Sequence, residues 1–176
     1  MKKFQRAIAL VAMTCSLGVI LRAQSIGPVP AIVNGGRLDR RLIQQAYKVL
    51  TNAQILALWS TPVTIIPAQG TGTITEVVGG VLSFAETGTY SSVSGNNLKL
   101  YYTSRWAGNA ATPTMTMLGF LDTAASAGLT FEGTPSDEIA AKNAPIVLQN
   151  VNGVAFGGGN AANTLTIRVN FIVYNQ

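Results

Sequence analysis

Few residues of this chain could perform acid–base, nucleophilic or metal chemistry. Its 176 residues include no histidine, one cysteine and seven acidic residues. The lack of histidine excludes Ser-His-Asp and Cys-His mechanisms and histidine-bound metals. A single cysteine forms neither an intrachain disulfide nor a thiolate metal site. We therefore expect a protein that is not an enzyme and that holds no cofactor and no metal.

Two short motifs suggest ligand binding, and each has a simpler explanation. The run Gly157-Gly158-Gly159 is similar in composition to a phosphate-binding loop, but no helix and no Lys-Ser/Thr pair is indicated after it. Asp137 and Glu138, together with Glu132, could bind Ca²⁺, but a calcium loop offers more ligands at fixed spacing. We predict a glycine-rich hairpin or loop at the first motif and a solvated acidic loop at the second.

Aromatic side chains are the remaining candidates for recognition. Trp59, Tyr101 and Trp106 could stack on a sugar ring, with Tyr102 beside them. Large aromatic residues more often anchor a core or a protein interface. We predict that Trp59, Tyr101 and Trp106 are interface residues.

The positive charge is concentrated at the N-terminus. Residues 1–50 hold eight basic residues and one acid, whereas residues 51–176 hold four basic residues and six acids. A basic arm suits an acidic protein surface, an anionic lipid surface or nucleic acid. Nucleic acid is the least favoured of the three, because no aromatic residues alternate with the basic ones.

The first 36 residues are predicted to form a separate segment. Lys2, Lys3 and Arg6 precede the uncharged run 7–21, which is the layout of a signal peptide with a conceivable cleavage after Ala23. The alternatives are a retained arm that docks on a partner or joins an oligomer core, and a translation start assigned too far upstream. Residues 26–36 are typical of an extended linker, since they contain two prolines and then Asn34-Gly35-Gly36.

Residues 37–176 show the pattern of an all-β domain, in which short β-rich runs alternate with turn residues. Thr51 is placed to cap a short helix over 52–59, and Gly79-Gly80 suggests a bulge within a long strand. Gly88–Asn97 is predicted to be an exposed loop. In Thr112–Leu121, Met115 and Met117 are predicted to face inward, with Leu118 as a further candidate. The predicted strands are Leu42–Leu50 (where a helix is nearly as plausible), Val63–Pro67, Thr73–Phe84, Asn97–Ser104, Thr112–Leu121, Ala127–Phe131, Ala144–Val151 and Thr164–Tyr174.

These elements predict an antiparallel β-sandwich of jelly-roll type, with about eight strands, one short helix and an extended N-terminal arm. The domain boundaries that follow are residues 1–36 for the arm and linker and residues 37–176 for the sandwich.

Several stretches between Leu50 and Tyr174 resemble small structural proteins of tailed phages that are encoded among head genes. The matching stretches are LTNAQILAL (50–58), TPVTIIPA (61–68), NLKLYY (97–102), NAPIVL (143–148) and LTIRV (165–169).

This resemblance implies a β-sandwich cement or decoration subunit, often trimeric, that binds the outside of a capsid shell. Its partners would be the major capsid protein or other virion subunits. The alternative is an exported surface or periplasmic binding module for a glycan or protein ligand, with residues 1–23 cleaved. Under the virion interpretation the residues expected to anchor the chain to the lattice are Lys2, Lys3, Arg6, Arg22, Arg37, Arg40 and Arg41.

Overall fold

The computed structural model describes residues 43–107, 109–135 and 141–175. The predicted arm, signal-like run and linker therefore lie outside the described residues, as do Asp137 and Glu138. The elements are β1 (Gln44–Thr51), α1 (Asn52–Ala57), β2 (Val63–Ile66), β3 (Thr73–Ala85), β4 (Tyr90–Ser91), β5 (Leu98–Tyr102), a single 3₁₀ turn (Arg105–Ala107), β6 (Ala127–Glu132), β7 (Ile146–Asn150), β8 (Gly157–Gly158) and β9 (Thr164–Asn175).

The strands form a four-stranded sheet in the order β1-β9-β3-β6, a three-stranded sheet in the order β2-β7-β5, and a two-stranded ribbon of β4 and β8. Every pairing between these strands is antiparallel. One continuous hydrophobic cluster joins inward side chains of the two larger sheets, such as Leu82 and Ile167 of the first and Leu100 and Leu148 of the second. The prediction of an all-β antiparallel sandwich with one short helix is confirmed.

Strands β3 and β9 form the centre of the larger sheet. They pair from Thr73 opposite Asn175 to Ala85 opposite Thr164. The register shifts between Val77 and Gly79, which confirms the predicted bulge. The alternation predicted for β9 also holds, because its inward residues Leu165, Ile167 and Val169 have no exposed surface.

Gly80 is fixed by close packing within this sheet. A Cβ atom at this position would lie 2.0 Å from the carbonyl oxygen of Arg168 on β9 and 2.6 Å from the ring of Phe131 on β6. No side chain larger than hydrogen fits there without moving a neighbouring strand.

Helix α1 begins where β1 ends, and Thr51 belongs to both. The Thr51 hydroxyl accepts a hydrogen bond from the Gln54 N–H, and the Gln54 side chain accepts one from the Thr51 N–H. This capping box fixes the start of the helix, as the sequence predicts. Ile55 and the C-cap Leu58 are fully buried and hold the short helix against the core. In the described part of the chain, no helix is both long and apolar enough to cross a lipid bilayer.

The strand predicted over Thr112–Leu121 is wrong. Only isolated bridges occur nearby, joining Met115 to Leu98 and Ala110 to Tyr101. The chain turns after Met117 because Gly119 adopts a φ of +79° and donates its N–H to the Asp122 carboxylate. Met115 and Met117 are buried as predicted, but Leu118 is 57% exposed, since it lies in that turn.

The loop predicted to be exposed over Gly88–Asn97 is exposed at five of its ten residues, whereas Tyr90, Val93 and Asn96 are buried. It contains β4, which pairs with β8 of the glycine-rich segment. The Tyr90 ring contacts the rings of Phe84 and Phe156, and its hydroxyl donates to the Asn52 side chain. The partners of Tyr90 lie far from it in sequence, so its burial depends on long-range packing.

Replacing Gly80 with alanine tests the close packing at the centre of the sheet. We expect Gly80→Ala to lower the free energy of unfolding by about 1–3 kcal/mol, because the added methyl displaces backbone. Gly128→Ala on β6 is the matched control, since the nearest atom to its added methyl would be 3.9 Å away, and we expect a change within about 0.5 kcal/mol. Chemical denaturation measures both values, and equal losses would contradict this account.

Candidate interaction surfaces

One side of the four-stranded sheet faces away from the core, and we call it the outer face. Its register places Tyr47, Arg168, Val81 and Thr130 in one row across all four strands. Because side chains alternate between the two faces of a strand, the residues two positions before and two positions after this row on each strand also lie on the outer face. Its members are Gln45, Tyr47, Val49, Thr166, Arg168, Asn170, Val81, Ser83, Gly128, Thr130 and Glu132.

Exposed apolar side chains are concentrated around this sheet. Nine large hydrophobic residues are exposed in the described part of the chain, and five of them lie in or directly before strands of the four-stranded sheet. Polar residues of β9 lie between them in the register, since Arg168 separates Tyr47 from Val81 and Thr166 lies beside Val49. The five are Ile43, Tyr47, Val49, Val78 and Val81.

Charge on the outer face is sparse and held in place. The Arg168 guanidinium lies 5.5 Å from the centroid of the Tyr47 ring on the neighbouring strand, a cation–π distance. Glu132 lies on the edge strand β6, in the row next to that of Arg168. Gln45 lies at the opposite end of the same row, on β1. The outer face thus combines exposed Tyr47 and Val81 with uncharged polar residues and one cation held against an aromatic ring, a mixture found at protein interfaces.

The two outer strands of this sheet have open edges. Among the described residues, β1 pairs with β9 only and β6 pairs with β3 only. An edge strand presents N–H and C=O groups that another chain can pair with. Strand β1 follows directly on the basic N-terminal segment.

A groove of about 520 Å³ runs along the free edge of β6, and we call it the β6 groove. One wall is Leu129–Glu132 of β6, and the other is the segment Pro113–Thr116. The second wall is attached to the other sheet, since the Met115 and Leu98 backbones exchange hydrogen bonds. The groove is therefore the gap between the two sheets along this side of the sandwich.

A second exposed feature lies at the end of β7. The Arg105 N–H donates to the Gln149 side-chain oxygen at 3.0 Å, and its guanidinium donates to the Val151 carbonyl at 3.3 Å. The guanidinium lies 4.7 Å from the centroid of the Trp106 ring, while Gly153 packs so closely that a Cβ there would be 2.4 Å from it. Trp106 is 62% exposed, so an aromatic ring and a cation are held at the surface together.

The three predicted interface aromatics differ in exposure. Trp59 is 42% exposed and follows Leu58, whose carbonyl accepts the Asn150 N–H at the end of β7. Trp59 and Trp106 are therefore attached to the same end of the three-stranded sheet, and both remain available to a partner. Tyr101 is buried on the outward side of β5, so it offers little contact surface.

The buried surroundings of Tyr101 affect its ionisation. Burial raises the pKa of the Tyr101 hydroxyl above 10.0, and the nearby Arg105 cation partly offsets this. The neighbouring Gln149 is fully buried, and its oxygen is oriented by the Arg105 N–H. These contacts explain how the loop that carries Trp106 is positioned on the sheet.

The candidate ligand-binding motifs and the predicted lattice-anchoring residues can be compared with the described part of the chain. The described residues hold no group of three or more His, Cys, Asp or Glu that could share a metal ion. Gly157-Gly158-Gly159 contains β8 and continues into a turn, and no helix follows it within residues 160–175. The lattice-anchoring residues of the arm all lie outside the described residues: Lys2, Lys3, Arg6, Arg22, Arg37, Arg40 and Arg41.

No family model, no characterised protein and no solved structure matches this chain.

Sequence reasoning missed the outer face and the β6 groove. A signal for the outer face is present in Ile43, Tyr47 and Val49, which alternate with residues that turn to the other side of β1. Alternation by itself does not say which of two faces is covered by the other sheet. No signal in the sequence indicates the groove, because its two walls are brought together only by the sandwich.

Titration of Tyr101 tests the geometry around Arg105. We expect Arg105→Gln to raise the pKa of Tyr101 further, because the cation that favours the phenolate is lost, whereas Arg105→Lys keeps the charge. The pKa of Tyr101 in the folded protein exceeds the unfolded value of 10.0. The unfolded chain therefore loses the phenol proton at a lower pH than the folded protein does. The free energy of unfolding consequently falls as the pH rises above about 10. Ultraviolet absorbance titration, with Tyr101→Phe to identify the signal, measures the shift, and a lower pKa in Arg105→Gln would contradict the arrangement.

Proposed function

We propose that this chain is a non-enzymatic virion structural protein, a cement or decoration subunit that binds a capsid shell. The observation that carries the proposal is the outer face, where Tyr47, Val49 and Val81 are exposed on one side of an antiparallel sheet. The resemblance to phage head-gene proteins supports the same function. Under this proposal the partner is the major capsid protein or another virion subunit.

The arm and the outer face would act together in binding. The basic residues of the arm attach the domain to an acidic lattice, and the outer face packs against neighbouring subunits. Each contact on its own is weak, but linked contacts raise the effective concentration of the second after the first has formed. Repetition over a symmetric shell multiplies this effect, which is consistent with a homo-oligomer, for which we favour a trimer.

A charge placed on the outer face tests this function. Val81 lies at the centre of the face and is 37% exposed, so a lysine there reaches solvent and the free domain should still fold. We expect Val81→Lys to lower incorporation into particles by about tenfold or more, because an unpaired charge becomes buried in the interface.

Leu118→Lys is the matched control, because Leu118 is an exposed aliphatic residue in a turn away from this sheet. It should be incorporated like the unmodified protein. Incorporation is measured from the subunit content of purified particles. Equal incorporation of the two variants would contradict a role for the outer face.

A second candidate is an exported β-sandwich binding module, and the Arg105–Trp106 pair favours it. An exposed indole held beside a cation could stack on a sugar ring and bind its polar groups. In this case residues 1–23 would be removed during export.

Mass spectrometry of the native protein separates the two candidates. The virion function predicts an intact chain of 18.4 kDa in purified particles. Export predicts a chain that lacks about the first 23 residues, in the envelope fraction or the medium. Recovery of only the shortened chain outside particles would overturn the virion proposal.

A further inference from the structure

We propose that the free edge of β1 binds the same edge of a second copy of this chain, with Tyr47 of the two copies opposite each other. The two strands would run antiparallel about a two-fold axis, so that the two four-stranded sheets join into one sheet of eight strands. The inference goes beyond the proposed function, since it requires no shell and concerns only a contact between copies.

A hydrogen bond at the start of α1 indicates which backbone groups of β1 face the free edge. The Thr51 N–H donates to the Gln54 side chain, so it is directed away from β9. The backbone groups of alternate residues point to the same side of a strand. The N–H and C=O groups of Gln45, Tyr47 and Val49 therefore also point away from β9, towards the free edge.

The register across the whole sheet leads to the same assignment. The Gly133 N–H donates to the Val78 carbonyl on the β6 side of β3, so alternation along β3 directs the backbone groups of Val81 to β9. Val81 pairs with Arg168, so the backbone groups of Arg168 are bonded to β3 and not to Tyr47. Among the described residues, no backbone hydrogen bond outside the β1–β9 pairing uses the free groups of β1.

This edge matches itself when a second copy is rotated by 180°. With Tyr47 opposite Tyr47 of the second copy, Gln45 lies opposite Val49 in both halves of the contact. Each of these three pairs can exchange two hydrogen bonds, so the contact would contain about six. It would end before Thr51, whose N–H is already bonded to Gln54. Strand β1 contains no proline and no bulge in its eight pairs with β9, so its edge is continuous.

The charges near the axis permit this contact. Lys48 is the only charged residue of β1, and it would lie opposite the small, half-buried Ala46 of the second copy. The two Lys48 side chains are exposed, so solvent screens their repulsion. On the outer face, the two Arg168 residues would be three strand spacings or about 14 Å apart, which exceeds the Debye length of about 8 Å at physiological salt.

The exposed side chains of the edge favour a second copy as the occupant. Tyr47 is 57% exposed and Val49 40% exposed, and the joined sheet would place each beside a neighbour on the other copy. Directly opposite aromatic residues on adjacent strands stabilise the pairing, and a two-fold contact supplies such a pair from a single tyrosine. The Arg168 guanidinium already lies against the other side of each Tyr47 ring.

The symmetry of this contact limits the assemblies that can contain it. A two-fold contact uses the same surface on both copies, whereas neighbours in a three-fold ring contact each other through different surfaces. In a trimeric subunit, the β1 edge would therefore join two trimers. Every assembly that uses the contact fully contains an even number of copies.

Disulfide mapping tests the contact and its register. On a Cys15→Ser background, Tyr47→Cys places two thiols opposite each other, and oxidation should link pairs of chains. Gln45→Cys and Val49→Cys are the matched controls, because each alone would lie about 14 Å from its counterpart. A disulfide requires Cα atoms within about 7 Å. The two control chains mixed together, however, should cross-link at about tenfold the yield of either alone.

Two results would overturn this contact. The absence of a disulfide in Tyr47→Cys would mean that the two edges do not meet. Equal yields from the mixture and from Gln45→Cys or Val49→Cys alone would mean that chains collide without this register.

Sedimentation analysis of a proline variant tests the backbone pairing. Tyr47→Pro removes a donor from the free edge and leaves the hydrogen bonds to β9 intact, so the domain should still fold, which chemical denaturation checks. We expect the unmodified chain to contain an even number of copies and Tyr47→Pro to have half that mass. Tyr47→Thr is the matched control, since it keeps the N–H and a high strand propensity, and it should remain paired.

An odd number of copies in the unmodified protein, a single copy included, would contradict the proposal, as would an unchanged mass in Tyr47→Pro. Neither experiment uses particles, so failure of this contact is distinguishable from failure of the decoration function.

Discussion

The pairing of β3 with β9 is the interaction on which the rest of the domain depends. Among the described residues these are the two longest strands, and each holds one edge strand in the sheet, since β1 pairs only with β9 and β6 only with β3. Their inward side chains form one side of the core, while their outward side chains form the middle of the outer face. The glycine pair at 79–80 allows this packing, because no larger residue fits beneath the carbonyl of Arg168.

A surface with so little charge has a physical consequence. The outer face has Arg168 and Glu132 as its charged residues, and its other polar members are uncharged. Seven of the twelve basic residues of the chain precede residue 43. Long-range electrostatic attraction would therefore come mainly from the N-terminal segment, and short-range contacts from the surface of the domain.

The sequence predicted correctly those elements whose structure depends on residues that are close together along the chain. The alternation in β9, the cap at Thr51 and the bulge before Gly79 depend on neighbouring residues and agree with the structure. The stretch Thr112–Leu121 misled the prediction, because its alternating methionines are buried by a turn as readily as by a strand. Burial of Tyr90 depends on Phe84, Phe156 and Asn52, which no local pattern connects.

The candidate surfaces were less predictable than the fold. Trp59 and Trp106 are exposed as an interface role requires, but Tyr101 is covered, because strand alternation placed it on the outward side without indicating the loop above it. The groove beside β6 could not be predicted from any single segment, since each wall belongs to a different sheet.

The place where the arm joins the domain also determines how the domain would respond to force. The N-terminal segment precedes β1 in the sequence, and β1 is held to β9 by eight residue pairs from Gln44 to Thr51. Hydrogen bonds between antiparallel strands lie perpendicular to the strand axis. A pull on the arm along β1 would therefore load all eight pairs in shear rather than peel them apart one after another. Beyond Thr51, the chain passes without a linker into the capped and buried α1. The junction would act as a mechanical clamp that spreads any tension on the N-terminal segment over a whole strand.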